Sequence, residues 1–376
     1  MPSNLCLPET IKALQIQPDK TLQLVEIPFS SQLLVQDLPE DQLIIRVRAV
    51  DVNPTDLRHA MGRWHAPGHI SGCDGAGDVV KVGSAVKHLK VGDRAAGFTF
   101  GGSYQRDNGS YSEYVRFVAT VCFKIPESMT YEEAAAFPVV HLTAMQALYM
   151  RLKIPQPLNF RHGAEDRQSI LIWGGSTATG HHAVQLAALS GLRVFVTASP
   201  AVHDELKALG AEACFDYRDG VDVGKLVLAA THGQGVNFGL DCIVEGGSTD
   251  ACVDAISPSK GGRIIVLRGP ISTETRGRRK DVEIELILVY TLIGFPINFG
   301  GIIQIPAIPA DAVASLEYIT AVLPHLLEGW KQGKGSPALK GPRLRLMPGG
   351  LENIYKGMEI MRDGKYGREK LVYTVA

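Results

Sequence analysis

The sequence predicts an α/β chain in which a small, β-rich, barrel-like domain precedes a doubly wound parallel sheet. Three observations predict it. Ile170 to Gly191 (ILIWGGSTATGHHAVQLAALSG) joins an apolar run to a glycine-rich turn and then to a helical pattern. Strand-like runs recur near positions 170, 194, 213, 238 and 263, with helical patterns between them. Before about position 145 the runs are short and alternating, and glycine-rich turns separate them.

In chain order, Leu43–Val50 (LIIRVRAV) has strand character, and Asp74–Val82 (DGAGDVVKV) alternates after a glycine turn. Lys90 to Arg94 turns into another short strand, and Gly109–Phe117 (GSYSEYVRF) reads as one more. Tyr131–Phe137 and Leu142–Arg151 read as helices, and Pro155–Gln168 as a polar surface insertion. Ile170–Trp173 is then the first strand of a Rossmann sheet. Ala183, Val184, Ala187 and Ala188 mark the helix after it, with Gly191 at its stop. Leu286–Pro309 carries no formal charge, but Gly294, Pro296, Gly300, Gly301 and Pro306 punctuate it. That favours buried strands and an apolar loop over a spanning helix. Ala310–Glu328 reads as a helix. Pro348–Leu351 (PGGL) is a turn, Glu352–Arg362 a helix and Lys370–Val375 a last strand, and this tail is expected to return to the first domain. The expected division is 1–145 for the barrel, 146–320 for the nucleotide-binding domain and 321–376 for the return.

The turn points to a dinucleotide. Gly175 and Gly180 fit the first and third glycines of G-x-G-x-x-G, while Thr177 takes the middle place. The phosphates are therefore expected to stand slightly off, with hydrogen bonds from the hydroxyls of Ser176, Thr177 and Thr179. Gly174 and Ala178 complete the turn. An ordinary strand-turn-helix without a ligand is the plain alternative, and the next strand weighs against it. Arg193–Ala198 ends in Ser199-Pro200, where an enzyme that uses NAD usually carries an acid for the ribose 2′-hydroxyl. An acid there would repel a 2′-phosphate, so its absence favours NADPH. Ser199 is the nearby donor, with His203, Lys207 and Arg218 as cationic neighbours. Ser199 and Pro200 also suit the cap and first turn of a helix to Leu209. Tyr217, after the strand Ala213–Asp216, is placed to lie over the adenosine.

The 376 residues allow two domains and a large core. Charged residues are 20%, hydrophobic residues 45% and the net charge −1, so nothing in the balance suggests nucleic acid or an anionic membrane. The six cysteines are scattered without a C-x-x-C pair, and the N-terminus has no basic segment followed by an apolar core. Both suit a reducing, cytoplasmic setting. Arg276, Arg278, Arg279 and Lys280 form a basic cluster, read as a solvated loop or else as a docking patch for an acidic partner.

Several phrases resemble the medium-chain dehydrogenase/reductases over nearly the whole chain. They are NPTDLR (53–58), GCDGAGDVVKVG (72–83), VGDRAAGF (91–98), GSYSEYV (109–115), AAAFPVVHLTAMQAL (134–148) and the nucleotide turn. The resemblance implies a GroES-like barrel, a Rossmann domain inserted after it, a C-terminal return, and an active site in the cleft between the domains. Zinc alcohol dehydrogenases of this family hold the catalytic metal by Cys, His and Cys. Those positions fall on Asn53, Cys73 and about Val139, which leaves one plausible ligand, and there is no run of four cysteines for a structural zinc. No metal is expected, and Cys73 is expected to be a packed apolar thiol.

GGSTATG (174–180), DYR (216–218), LVYTLIG (288–294), PGGLENIYKGMEIMRDGK (348–365) and EKLVY (369–373) resemble the fungal trans-acting enoyl reductases of polyketide pathways. That implies NADPH-dependent reduction of the α,β-double bond of a polyketide held as a thioester on an acyl carrier domain. The partner is a polyketide synthase, with or without a fused peptide synthetase. Arg58 stands where relatives often have Lys, and GFPINFGG (294–301) departs from the family pattern. The resemblance places Asp51, Val52, Asn53, Pro54, Leu267, Arg268 and Gly367 at the cofactor. It places Pro138, His141, Leu142, Tyr290, Gly294 and Phe295 at the substrate. Asn53, Arg58 and Thr143 are the candidate catalytic residues. Arg58 would hold the thioester oxygen or the carrier's phosphate, against an Asp56–Arg58 surface pair as the plainer reading. Thr143 would face the nicotinamide, unless it is only a helix N-terminal residue. His141 is near enough to be a proton donor, although a structural histidine is commoner. A quinone or free enone reductase of the same fold, and an NADPH-binding accessory protein without hydride transfer, are the rival functions. Monomer and homodimer are both open.

Overall fold

The computed structural model describes residues 8–29, 37–102, 105–106, 108–159, 167–218, 220–299, 303–328, 330 and 339–375. It divides into two compact units, Met1–Val139 with Tyr290–Ala376, and Val140–Val289. Residues 290–320, which the sequence reading assigned to the nucleotide-binding domain, thus belong to the first unit. Their anchors explain this: Thr120 donates to the Leu292 carbonyl at 2.9 Å, and Ser315 donates to the Thr120 carbonyl at 2.6 Å.

The first unit begins with β1 (Thr10–Ile16), β2 (Leu22–Pro28), β3 (Gln42–Asp51), β4 (Asp74–Val82), β5 (Arg94–Phe98), β6 (Tyr114–Val118) and β7 (Phe123–Lys124). The second unit carries β8 (Ser169–Trp173), β9 (Arg193–Thr197), β10 (Ala213–Phe215), β11 (Phe238–Asp241), β12 (Gly262–Val266) and β13 (Val282–Leu286). The chain then returns to the first unit with β14 (Ile297–Phe299), β15 (Ile303–Ile305), β16 (Arg343–Met347) and β17 (Glu369–Thr374).

In the first unit the main sheet runs β16-β17-β3-β4-β5-β7, and β6 also pairs with β3. The tail closes it: β17 pairs antiparallel with β3, setting Val372 against Asp51. The alternating side chains of these strands bury a core that includes Leu43, Ile45, Val47, Val115, Phe117 and Leu371. Gly109–Phe117 is not one strand, because β6 starts only at Tyr114. Its first part wedges against 70–72, where a Cβ on Gly109 would lie 2.3 Å from the Ser71 carbonyl oxygen. β1 and β2, which the sequence reading passed over, form their own antiparallel pair.

The second unit is a parallel sheet in the order β10-β9-β8-β11-β12-β13, the doubly wound arrangement expected of a Rossmann domain. Strands near 170, 194, 213, 238 and 263 are where the pattern placed them. β13 was not anticipated: its VEIEL alternation shows Glu283 and Glu285 on one face, as suits a sheet edge. Leu171, Phe195, Ile264 and Val266 are in the core.

Helices depart from the expectation where the backbone is disturbed. The run 310–328 is helical over Pro309–Glu317, widens at Tyr318–Val322 and resumes over Leu323–Leu327, with Pro324 near the break. Pro138–Met145 likewise widens at Gln146–Arg151. The stretch 286–309 holds a short helical turn, Val289–Ile293, and the antiparallel pair β14 and β15. No described helix is long and apolar enough to cross a membrane. Residues 160–166 of the polar insertion, and Gly300 and Gly301, lie outside the described residues.

Candidate active site

The nucleotide turn follows β8 directly. Gly174 has φ +81°, and its Cβ would meet Ile243 Cγ1 at 2.8 Å, so glycine is required there. A Cβ on Gly180 would lie 2.3 Å from the Gly174 carbonyl oxygen. The helix Ala178–Leu189 can therefore seat its first turn on the loop only with glycine at 180. Thr177 caps that helix: its hydroxyl accepts from the Gly180 amide at 3.0 Å and donates to the Gly174 carbonyl at 2.8 Å. This corrects the expectation that Thr177 offers its proton to a phosphate, because the proton is already committed. Ser176, Ala178 and Thr179 are half-buried beside the helix N-terminus. The turn, the helix N-terminus and the absent Cβ atoms fit a dinucleotide pyrophosphate.

At the end of β9, Ser199 makes no capping hydrogen bond, because a short turn Pro200–Val202 intervenes before the helix His203–Ala208. Its expected capping role is thereby corrected. His203 Nε2 lies 2.9 Å from the Ala198 carbonyl oxygen. Tyr217 is 47% exposed. Arg218 pairs with Asp216 through two contacts of 2.9 and 2.7 Å, which hold that carboxyl down at about 2. Beyond β11, Asp241 is fully buried and organises the facing loop. It accepts from the amides of Ile243 and Val244 and from the hydroxyls of Ser248 and Thr249, at 2.6–2.9 Å. Sequence reasoning missed this anchor; an acid ending a buried strand before a run of glycine and serine was the available signal. Leu267 and Arg268 follow β12, where Arg268 pairs with Glu245. Gly367, with φ +66°, precedes β17.

His141 and His182 form a buried pair with Nδ1 atoms 3.3 Å apart. Burial pulls His141 down to about 3, so it is neutral at working pH and is not poised as an imidazolium acid. Leu142 and Thr143 are buried on the same helix, and Pro138 is its first residue.

The second constellation lies in the first unit, around the short helix Pro54–Ala60. Asn53 is its centre. Its amide nitrogen donates to Asp51 at 2.8 Å and to Asp74 at 3.0 Å, and its amide oxygen accepts from Lys370 at 2.7 Å. Lys370 also ion-pairs with Asp51. Asp51, Val52, Asn53 and Asp74 are all buried, while Pro54 is exposed. Burial and the neighbouring Asp51 charge push the Asp74 carboxyl well up, and Asp74 gives a hydrogen bond to Asp51. The Asn53 side chain is therefore a structural hub, with its amide group engaged by Asp51, Asp74 and Lys370. Asp56 is fully buried too and takes no part in a surface pair with Arg58. It accepts from the Asn53 amide at 2.8 Å and from Tyr111 at 3.0 Å, and burial raises it to about 6. The Arg58 guanidinium lies 5.9 Å from the centre of the Trp64 ring.

Tyr290 stacks on Phe100, with centroids 3.9 Å apart, and meets Phe98 and Phe299 edge-on. Its hydroxyl lies 2.7 Å from Thr55 Oγ1 and 3.4 Å from Cys73 Sγ. Cys73 is buried, as expected, but in polar company, and burial pushes its thiol well up. Gly294 (φ +78°) and the half-buried Phe295 follow the Tyr290 turn. The three positions that bear a catalytic zinc in metal-dependent relatives do not fit one here. The Asn53 amide is committed, the Cys73 thiol is held protonated, and Val139 has no donor atom. Among the described residues no three His, Cys, Asp or Glu side chains are arranged to hold a metal.

The basic cluster lies at the surface, as the solvated reading expects, with Arg276, Arg278 and Lys280 exposed, and its arginines make specific contacts. Arg278 pairs with Asp254 at 2.8 and 2.7 Å, and Arg276 donates to the Ile284 carbonyl at 2.8 Å. Arg279 pairs with Asp281 and donates to the carbonyls of Ile256 and Ser257, both at 2.7 Å, at the end of the helix Ser248–Ala255.

A barrel-like unit closed by its own C-terminal tail, together with a Rossmann unit whose turn is built for a pyrophosphate, defines a medium-chain dehydrogenase/reductase. The alcohol dehydrogenase GroES-like domain matches residues 39–127, and the zinc-binding dehydrogenase domain matches 178–276. The trans-enoyl reductase ACTTS2 of Alternaria alternata is 36% identical over 368 residues, covering 97% of this chain and 99% of its own. The chain belongs to the family of the fungal trans-enoyl reductases. Among solved structures, the CurK enoyl reductase shares the fold with a TM-score of 0.70 at 20% identity, over 98% of this chain and 100% of that one. A mycobacterial protein complexed with NADPH does so with a TM-score of 0.68 at 20% identity, over 97% and 99%.

Proposed function

We propose that the protein is an NADPH-dependent enoyl reductase that acts in trans, reducing the α,β-double bond of a polyketide held as a thioester on the acyl carrier domain of a synthase. The observation that carries this reading is the match to a trans-enoyl reductase over nearly the full length of both chains. The nicotinamide cofactor supplies hydride to the β-carbon. The chain's own work is to hold the dinucleotide at the turn 174–180 and to meet the charge that develops on the thioester oxygen. The acid-free end of β9 supports NADPH over NADH. Ser199 has its hydroxyl uncommitted to a cap, and Asp216 is neutralised by Arg218. The exposed ring of Tyr217 suits an adenine face. Thr143 and Arg58 remain proposals for the nicotinamide and for the substrate. The free thiols of Cys73, Cys122, Cys214, Cys242 and Cys252 suit a cytoplasmic setting.

The test is loss of absorbance at the reduced nicotinamide band, with NADPH or NADH and an enoyl thioester offered on pantetheine and then on a carrier domain. The expected result is oxidation of NADPH, faster with the carrier. Equal rates with and without the carrier would remove the trans-acting part. Silence with both thioesters alongside reduction of a quinone would replace the reading by a quinone reductase. NADPH binding without oxidation by any acceptor would replace it by an accessory role.

A further inference from the structure

The Tyr290 hydroxyl is placed by aromatic packing, which fixes the ring, and stands between two unlike neighbours. Thr55 Oγ1 lies 2.7 Å away on the half-buried first turn of the helix Pro54–Ala60. Either hydroxyl can donate across this contact, and in the arrangement in which Thr55 donates, the phenol proton is turned away from it. On the other side stands Cys73 Sγ, at 3.4 Å. Thiol sulfur is a weak acceptor, and burial keeps this thiol protonated. In that arrangement the phenol proton faces a poor acceptor and is given up to a better one at small cost. Burial also pushes the phenol well up, so Tyr290 is a neutral donor throughout the neutral range. The apolar wall of Phe98, Phe100 and Phe299 strengthens any hydrogen bond made to a developing oxyanion.

We propose that Tyr290 is a catalytic residue that donates a hydrogen bond to the carbonyl oxygen of the enoyl thioester, and that Thr55 is the positioning residue that orients it. This rests on the enoyl reductase reading. As hydride adds at the β-carbon, the electron pair of the double bond moves to the α-carbon–carbonyl bond, and the carbonyl pair moves onto oxygen. Tyr290 holds that oxygen without surrendering its proton. The carbonyl then re-forms as the α-carbon takes a proton from a solvent water, whose O–H bond breaks and whose hydroxide returns to bulk solvent. Tyr290 so provides the polarisation that Asn53, Cys73 and Val139 cannot provide through a metal.

Tyr290→Phe keeps the ring on Phe100 and removes only the hydroxyl, and Thr55→Val removes only its orienting partner. With NADPH and crotonyl-pantetheine, loss of one oxyanion donor is expected to lower kcat by about 100-fold or more in Tyr290→Phe. KM and melting temperature should stay near wild type, and Thr55→Val should fall between the two. A second readout needs no turnover. Cinnamoyl-pantetheine bound with oxidised cofactor should absorb further to the red on wild type, because a hydrogen-bonded carbonyl draws charge through the conjugated system. The shift should vanish in Tyr290→Phe and shrink in Thr55→Val. A Tyr290→Phe enzyme that keeps kcat within about threefold and keeps the red shift overturns the inference while wild-type turnover upholds the reductase reading. A wild-type enzyme that reduces no enoyl thioester overturns that reading and takes the inference with it.

Discussion

Asp56 shows how one buried carboxyl writes itself into the behaviour of the folded protein. Burial raises its pKa from 3.8 to about 6, against the hydrogen bonds from the Asn53 amide and Tyr111 that favour its charged form. An acid with a raised folded-state pKa binds its proton more tightly in the native state than in the unfolded one. Its contribution to stability is therefore full below about pH 4 and declines as pH climbs towards about 6, by roughly 3 kcal/mol in all. Asp56→Asn should flatten that decline, read as urea midpoints between pH 4 and 7; an unchanged slope would assign the titration to another group. Ser199 is the residue at which cofactor choice is testable. Ser199→Asp places a carboxylate where the 2′-phosphate would bind, and it is expected to weaken NADPH by about tenfold or more while sparing NADH, as measured by the Kd of each. Equal losses for both cofactors would remove Ser199 from that role. The sequence marked Ser199 but not the commitments of its neighbours. The cap made by Thr177 is local, between Gly174 and Gly180, whereas the saturated amide of Asn53 is invisible without the partners that lie across the fold.

At the scale of elements, periodicity located what it physically controls. The buried parallel strands β8, β9 and β12 carry continuous apolar runs and were legible as such. β13 was not, because an edge strand with glutamates on one face looks like a polar loop, and the 310–328 helix was read through the disturbance at Tyr318–Val322. The glycine turn was legible in kind but not in detail, since the residue with the left-handed φ is Gly174. Gly180→Ala should cost about 1–3 kcal/mol, because the new methyl group meets a backbone oxygen that belongs to the turn itself. Cofactor binding should suffer along with stability, which isothermal titration and melting of the same variant would show; a wild-type melt with wild-type affinity would mean the helix can shift to make room. The arginine cluster is likewise a matter of elements. Arg279 donates to two carbonyls beyond the helix Ser248–Ala255 and pairs with Asp281 ahead of β13. Charge alone left a solvated loop and a docking patch as the two readings, and the hydrogen bonds of Arg279 add a latch between a helix and a strand.

For the whole molecule, the chain's last strand is what completes its first domain. β17 carries Lys370 back to Asn53 across 317 positions of sequence, and to Asp51. No local pattern could have announced that contact, although the return of the tail itself was foreseen. Lys370 is 6% exposed, and its ammonium is the cation against which Asp51 and the raised Asp74 are balanced. Removing one partner of a buried ion pair leaves an uncompensated charge, which costs about 3–5 kcal/mol, whereas replacing both can be nearly neutral. Lys370→Met should therefore be strongly destabilising. Its cost should grow with rising pH, because without the ammonium Asp51 can stay buried only by holding a proton. Asp51→Asn in the same chain should restore most of the loss, since the neutral amide keeps the shape and asks for no counter-charge. Urea midpoints of the two single variants and the double variant form a cycle whose coupling measures the pair directly. Additive losses would mean that β17 stabilises the barrel through its strand pairing and buried Leu371 and Tyr373 alone, and that Lys370 contributes only its hydrocarbon stem.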